Sequence, residues 1–322
     1  MTYASAQLIT TAEYNGFIGS AVNSTSGNIN SVWSTGNGQF GYGQTALSQS
    51  ATSAGLITGT QWASLVNTMN SVSKHQSGGS GIAGLTVPAS GGLNIAQSTL
   101  PTALATLYTN KALYNSQGTQ VNGSAYSPVL SVGNTYAAQA LSITRTITFS
   151  LNSDAMRYFF NAGGQIKLTH SGSGSSSTRS SDLAACINSI GTITIGGTTN
   201  SGRTGTGNTQ TANNTGYGYW NCGVSASFNA GTTITQITST GYTYTGDYAL
   251  VSFRTNGAQG SNADHGTIMY IDMYLYAAAH DSTHLFNQSI STTWTNQIDI
   301  IPPESTNLTN TWGTVGTNIV VS

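Results

Sequence analysis

His280-Asp281-Ser-Thr-His284 sets two histidines four residues apart with an acid between them. On a helix, this spacing lets both rings bind one zinc ion, with the acid standing where a zinc protease carries its glutamate. The preceding stretch, Thr267-Ile-Met-Tyr-Ile-Asp-Met-Tyr-Leu-Tyr276, alternates like a strand, so the motif reads as a turn into the next strand. Histidines four apart on a turn need not converge. Asp264, His265 and Asp272 are the candidates for a third ligand. We expect no metal site, and His280, Asp281 and His284 are the residues on which that expectation rests.

Other constellations are thinner. Gly36-Asn-Gly-Gln-Phe-Gly41 has the spacing of a dinucleotide-binding loop, but that loop needs a strand before it and a helix after it. Here a helix ending near Trp33 precedes it, so a plain loop is expected. The Gly172-Ser-Gly-Ser-Ser stretch lies in a low-complexity loop rather than at the strand-to-helix elbow of a serine hydrolase. Glycoside cleavage needs two carboxyls across one concave face, and the nine acids are mostly isolated. Asp264 and Asp272 are the two to check. No catalytic residue and no cofactor is expected. Tyr217-Gly-Tyr219-Trp220 and Tyr242-Thr-Tyr244 form glycine-bounded aromatic clusters. They read first as strand core, and second as stacking rings for a partner or a glycan. Cys186 and Cys222 could pair if the fold brings them together, but they read first as two buried thiols, since a cytoplasm keeps thiols reduced.

Composition limits the choices further. Charged residues make up 5% of the 322, against about 25% in ordinary soluble proteins. Eight Lys and Arg stand against nine Asp and Glu, a net charge of -1. Such a surface offers little repulsion between copies. The basic residues are scattered, which argues against nucleic acid as a partner. No apolar run reaches the ~20 residues of a membrane span. The first ten residues show neither a basic nor an apolar leader region, so no signal peptide is expected.

The elements that would position these residues fall into two series. Ile9-Thr10-Thr-Ala-Glu13-Tyr14 reappears as Ile57-Thr58-Gly-Thr-Gln61-Trp62. Both fit a capping box, Thr10 with Glu13 and Thr58 with Gln61, flanked by a hydrophobic staple. Apolar residues follow at helical spacing: Tyr14, Phe17, Ile18 and Ala21, then Trp62, Leu65, Val66, Met69 and Val72. A third copy starts at Ile95, with Leu100, Leu104, Leu107 and Tyr108 as its stripe and Pro101 in its first turn. From residue 141 the period changes to two. Strands are expected at 141–150, 165–170, 191–195, 219–228, 232–238, 248–254, 267–277 and 288–300, with one helix at 182–189. Residues 171–177 and 198–215 are read as low-complexity loops, and the tail after Pro302-Pro303 as extended. The fold class is therefore α+β and multidomain. Residues 1–123 form a small helical docking domain, 124–140 a linker, and 141–322 an antiparallel β-sandwich with an extended tail.

Asp154-Ala-Met-Arg-Tyr-Phe-Phe-Asn-Ala-Gly-Gly-Gln-Ile-Lys167 resembles a stretch in a family of bacteriophage virion structural proteins of cyanophage type. The capping-box repeats, Thr109-Asn110-Lys111, and the helix at 182–189 leading into Gly191-Thr-Ile-Thr-Ile195 are similar to that family as well. The resemblance implies a non-enzymatic component of the tail, neck or fibre apparatus, found in the virion and assembled in the host cytoplasm. It implies copies of this chain and other phage structural proteins as partners, and no catalytic residues. Alternatives are a host-glycan binding module of the tail, a capsid decoration protein and, less favoured, a polysaccharide hydrolase. On the residues alone, the 154–167 stretch is an aromatic turn after a strand, followed by a tight reversal at Asn161-Ala-Gly-Gly164. Asp154 and Arg157 stand at ion-pair spacing if that turn is helical.

Overall fold

A computed structural model describes residues 9–19, 27–34, 41–50, 57–87, 99–175, 177–197, 202–206, 223–224, 228, 232–240, 244–257, 266–279 and 289–321. Both capping boxes form. The Glu13 amide donates to Thr10 Oγ1 at 3.2 Å and the Thr10 amide to Glu13 Oε2 at 2.9 Å, which starts α1 (Thr11–Ile18). The Gln61 amide donates to Thr58 Oγ1 and the Thr58 amide to Gln61 Oε1, which starts α3 (Gly59–Ser77). Each pair satisfies two orphan amide donors of a helix end. The staple residues Ile9, Tyr14, Ile57 and Trp62 are all buried. Between the two boxes lies the single turn α2 (Asn30–Trp33). The third copy appears as α4 (Leu100–Thr109), which buries Leu100, Leu104 and Leu107.

The strand series is β1 (Val129–Val132), β2 (Gln139–Phe149), β3 (Gln165–Gly174), β4 (Ile193–Ile195), β5 (Gly202–Arg203), β6 (Gly223–Val224), β7 (Thr232–Thr238), β8 (Tyr248–Thr255), β9 (Ile268–Ala277), β10 (Ile290–Ile301) and β11 (Val315–Val321). Two helices interrupt it: α5 (Ala155–Asn161) and α6 (Thr178–Ile190). Among the described residues the strands make two sheets. One runs β1-β10-β3-β4-β5; the other runs β11-β2-β9-β8-β6, with β7 also on β8. Neighbouring strands are antiparallel except β6 with β8. Helices beside mainly antiparallel sheets make this an α+β fold.

Alternation gives each sheet a core face. Ile143, Arg145 and Ile147 of β2 lie in register with Met273, Ile271 and Met269 of β9, and all six are buried. On β10, Thr292, Trp294, Asn296 and Ile298 face the same way and are buried. Arg145 Nη1 donates to Asn296 Oδ1 at 2.8 Å, tying a strand of one sheet to a strand of the other. One apolar cluster runs from Ile9 through α3 and both sheets to Trp312.

Several stretches differ from the sequence expectation. Residues 155–161, expected as an aromatic turn, form α5, and all seven are buried. Phe159 and Phe160 pack edge to face at 5.1 Å, and Phe149 lies 5.3 Å from Phe159. The reversal follows, with Gly163 at φ 91°. Residues 171–175, expected as loop, mostly extend β3, because Gly172 and Gly174 lie under α6. The stretch expected as a linker holds β1, and β2 begins at Gln139. The tail ends in β11, paired with β2 over seven residues.

Candidate functional site

The chain spends its few charges indoors. Of its seventeen acidic and basic residues, Arg145, Arg157, Arg179, Arg254, Asp247, Asp272, Asp299 and Glu304 are buried. Asp264 and Asp281 lie outside the described residues, and the remaining seven are half-buried. A buried charge needs a partner, and here the partners come from distant elements.

Arg179, in the first turn of α6, donates from Nε to Asp247 Oδ2 and from Nη2 to Asp247 Oδ1, both at 2.7 Å. Asp247 is fully buried before β8, and its Oδ1 also accepts from the Ala278 amide. This fork against a carboxylate pins α6 to the ends of β8 and β9. On β8 and β9, Arg254 Nε donates to Asp272 Oδ2 at 2.8 Å, while the Thr144 hydroxyl donates to Asp272 Oδ1 at 2.8 Å. Asp272 was a candidate metal ligand and hydrolytic acid. The structure gives it to Arg254 and seals it from solvent, so no substrate carboxyl role is open to it. Among the described residues no group of three or more His, Cys, Asp or Glu could hold a metal. His280, Asp281 and His284, with Asp264 and His265, lie outside the described residues.

A second polar junction joins the helices to the C-terminal segment. Glu304 Oε1 lies 3.0 Å from His75 Nδ1 on α3, and Oε2 accepts from the Thr306 and Asn307 amides. Burial pushes the Glu304 carboxyl up, but the His75 hydrogen bond and the two amides outweigh it and hold it down at about 2. Tyr42 sits edge-on to His75 at 5.0 Å and donates its hydroxyl to the Lys111 carbonyl. Gln44 exchanges hydrogen bonds with Thr309, its Nε2 donating to the carbonyl at 2.8 Å and its Oε1 accepting from the amide at 2.9 Å.

Of the expected aromatic contacts, Tyr217, Tyr219, Trp220 and Tyr242 lie outside the described residues. The structure places Tyr244 inside, 7% exposed, with the Arg179 guanidinium 5.6 Å from its ring centre. The ring is needed there to cover the buried ion pair. A different aromatic row, which the sequence reading took only as part of alternating strands, lies on the face of the second sheet opposite Ile271 and Met273. Tyr274 and Tyr276 stack with an interplanar angle of 18°, and Tyr248 lies 5.1 Å from Tyr276 across the β8–β9 pair. Farther along, the Arg254 guanidinium covers Tyr270 at 4.1 Å. These four rings are half-buried. The signal was in the sequence: from Tyr270 to Tyr276 every second residue is Tyr except Asp272, which marks one face of a strand as wide, flat and hydroxyl-bearing.

Cys186 is a free, buried thiol on α6, and burial with the nearby Asp182 and Asp247 pushes it up to about 12. It is therefore an unreactive thiol in the folded chain. Cys222 lies outside the described residues. Among the described residues no helix is long and apolar enough to cross a membrane. Comparison with protein-family models, with curated proteins and with solved structures gives no match.

Proposed function

We propose that this chain is a non-enzymatic structural subunit of a bacteriophage virion, placed in the tail, neck or fibre apparatus, which works by association with copies of itself and with other particle proteins. The observation that carries this reading is the location of the charges. Eight of seventeen are buried in pairs and networks, so the surface is poorer in ions than the composition already makes it. A surface of hydroxyls, amides and glycine has little to keep copies apart, and it desolvates at lower cost than a charged one. In this reading the two sheets face each other as a β-sandwich, supported by the Arg145–Asn296 bond and by α6, which packs on strands of both. The helical residues 1–123 form the part that docks. Sedimentation and electron microscopy of the purified chain test the proposal. Concentration-dependent closed oligomers, or incorporation into particles, are expected. A lone monomer at millimolar concentration that enters no particle overturns it.

A host-glycan module of the tail is the second reading, and the row Tyr248, Tyr274 and Tyr276 favours it. Stacked rings with hydroxyls at their edges suit the apolar face of a pyranose. Glycan-array binding that is lost in Tyr274→Ala and Tyr276→Ala, with the fold retained, would move the assignment to this reading.

A further inference from the structure

Between α3 and α4 lies a cavity of about 510 Å³. Among the described residues no acidic, basic or histidine side chain lines it. Its apolar wall includes Ile82, Ala103 and Leu107, and its polar wall includes Ser77, Thr106 and Gln76. Two hydroxyls are turned back onto their own helices: Thr106 Oγ1 donates to the Thr102 carbonyl and Ser77 Oγ to the Ser73 carbonyl, both at 2.9 Å. Each hydroxyl has then used its proton and keeps only lone pairs to offer.

Gln76 sharpens the pattern. It is 4% exposed. Its Nε2 donates to the Leu107 carbonyl at 2.9 Å and to Tyr42 Oη at 3.2 Å. The amide cannot be turned round, because the Leu107 carbonyl only accepts and the Tyr42 hydroxyl has given its proton to Lys111. Both amide protons are therefore used, and Oε1 is buried with no hydrogen-bond partner among the described residues. An unpaired buried acceptor beside a roomy cavity calls for a donor. We propose that this cavity is a binding site for a small uncharged molecule with an apolar body and one O–H or N–H donor, which donates to Gln76 Oε1 while its body lies against Ile82, Ala103 and Leu107. The absence of charge in the lining excludes ions as good ligands, and the volume is in the range of small-molecule sites.

The test uses 4-fluorophenol and 4-fluorotoluene, titrated into the full chain and read by fluorine NMR. A cavity without an acceptor prefers the toluene, since the phenol must give up its hydrogen bonds to water. The expected result is the reverse: saturable binding, with the phenol held roughly tenfold tighter, the size of one net hydrogen bond. Gln76→Met, similar in shape, should remove or invert the preference. Ala103→Phe fills the groove from α4 without touching Gln76, and it should abolish binding of both probes while the circular dichroism stays unchanged. Equal affinity for the two probes, no saturable binding to the folded chain, or binding that survives Ala103→Phe would each overturn the proposal.

Discussion

His75 Nδ1 lies 3.0 Å from Glu304 Oε1, and the two residues are 229 positions apart in the chain. The contact joins α3 to the segment between β10 and β11, and both side chains are buried. The Trp312 and Gly313 amides donate to Asn310 Oδ1, and the Thr311 hydroxyl donates to the Tyr42 carbonyl, which continues the same seam. The helical and β series are thus bonded side chain to side chain, not merely adjacent.

Glu304 makes the seam sensitive to acid. Its carboxyl is held at about 2 in the fold, below its ordinary 4.5. The unfolded chain therefore takes up a proton that the folded chain refuses as the pH drops from about 4.5 to 2. The stability from Glu304 is fully present above that window and is lost as pH falls through it. Urea unfolding followed against pH should show this slope. Glu304→Gln should lower stability at pH 7 and flatten the slope between pH 4.5 and 2. A slope of the same size in the variant would place the acid sensitivity elsewhere.

A second window opens higher. Trp294 Nε1 donates to His170 Nδ1 at 3.2 Å, and the His170 Nε2 is buried with no hydrogen-bond partner among the described residues. Burial, with the charge of Arg203, pushes the ring down from 6.5 to about 3. Between those values the unfolded chain binds a proton and the folded chain does not. Stability should fall below pH 6.5 by up to about 1.4 kcal/mol per pH unit, the slope of one proton. His170→Asn keeps an acceptor for Trp294 and should remove the part of the slope between pH 6.5 and 4.5. Nuclear magnetic resonance of the ring should show no titration from pH 8 to 4.

The Arg179–Asp247 fork should dominate single-site stability. Removing one partner leaves the other charge buried alone, which costs about 3–5 kcal/mol. Asp247→Ala also strips the Ala278 amide of its acceptor. Arg179→Lys cannot make two parallel hydrogen bonds and should recover only part of the loss. Guanidinium unfolding of the single variants and of the pair Arg179→Met with Asp247→Leu checks this. The double variant should be more stable than either Arg179→Met or Asp247→Leu alone.

Local signals were legible in the sequence; long-range ones were not. The capping boxes at Thr10 and Thr58 carry their own hydrogen-bond partners three residues on, and they form as read. Strand β7 and most of β2, β8, β9 and β10 follow from alternation, although β8 is buried on both faces past Tyr248. The four ion pairs behave differently. Arg157 with Asp154 lies within one turn and could be read from spacing. Arg179 with Asp247, and His75 with Glu304, join elements whose approach is set by the whole fold, so spacing carried no trace of them. Tyr244 is buried, as its first reading had it, but its cover over Arg179 exists only once α6 is docked and left no local trace. The glycine- and serine-rich residues 171–175 read as loop because low complexity argues against burial, yet the glycines are there to let a helix approach.

That last feature gives the sharpest test of the α6 packing. On β3, Gly172 and Gly174 stand opposite Trp294 and Thr292 on the inner face. A Cβ at Gly172 would come within 2.6 Å of the Ala184 carbonyl oxygen and 2.9 Å of its Cα, and one at Gly174 would fall on the Ser180 carbonyl. These are backbone atoms of α6, which cannot rotate aside. The helix is held in place by Asn188, which exchanges two hydrogen bonds with the Gly172 backbone, by Ser177 on the Ser289 carbonyl, and by the Arg179 fork. Gly174→Ala must therefore displace α6 against those bonds, and it should cost at least the 1–3 kcal/mol typical of overpacking. Gly316→Ala, on β11 where a Cβ meets open space, is the control. It should be neutral or stabilising by up to about 1 kcal/mol, because alanine narrows the unfolded ensemble. Equal stabilities for Gly174→Ala and Gly316→Ala in guanidinium unfolding would mean that α6 does not lie this close to β3.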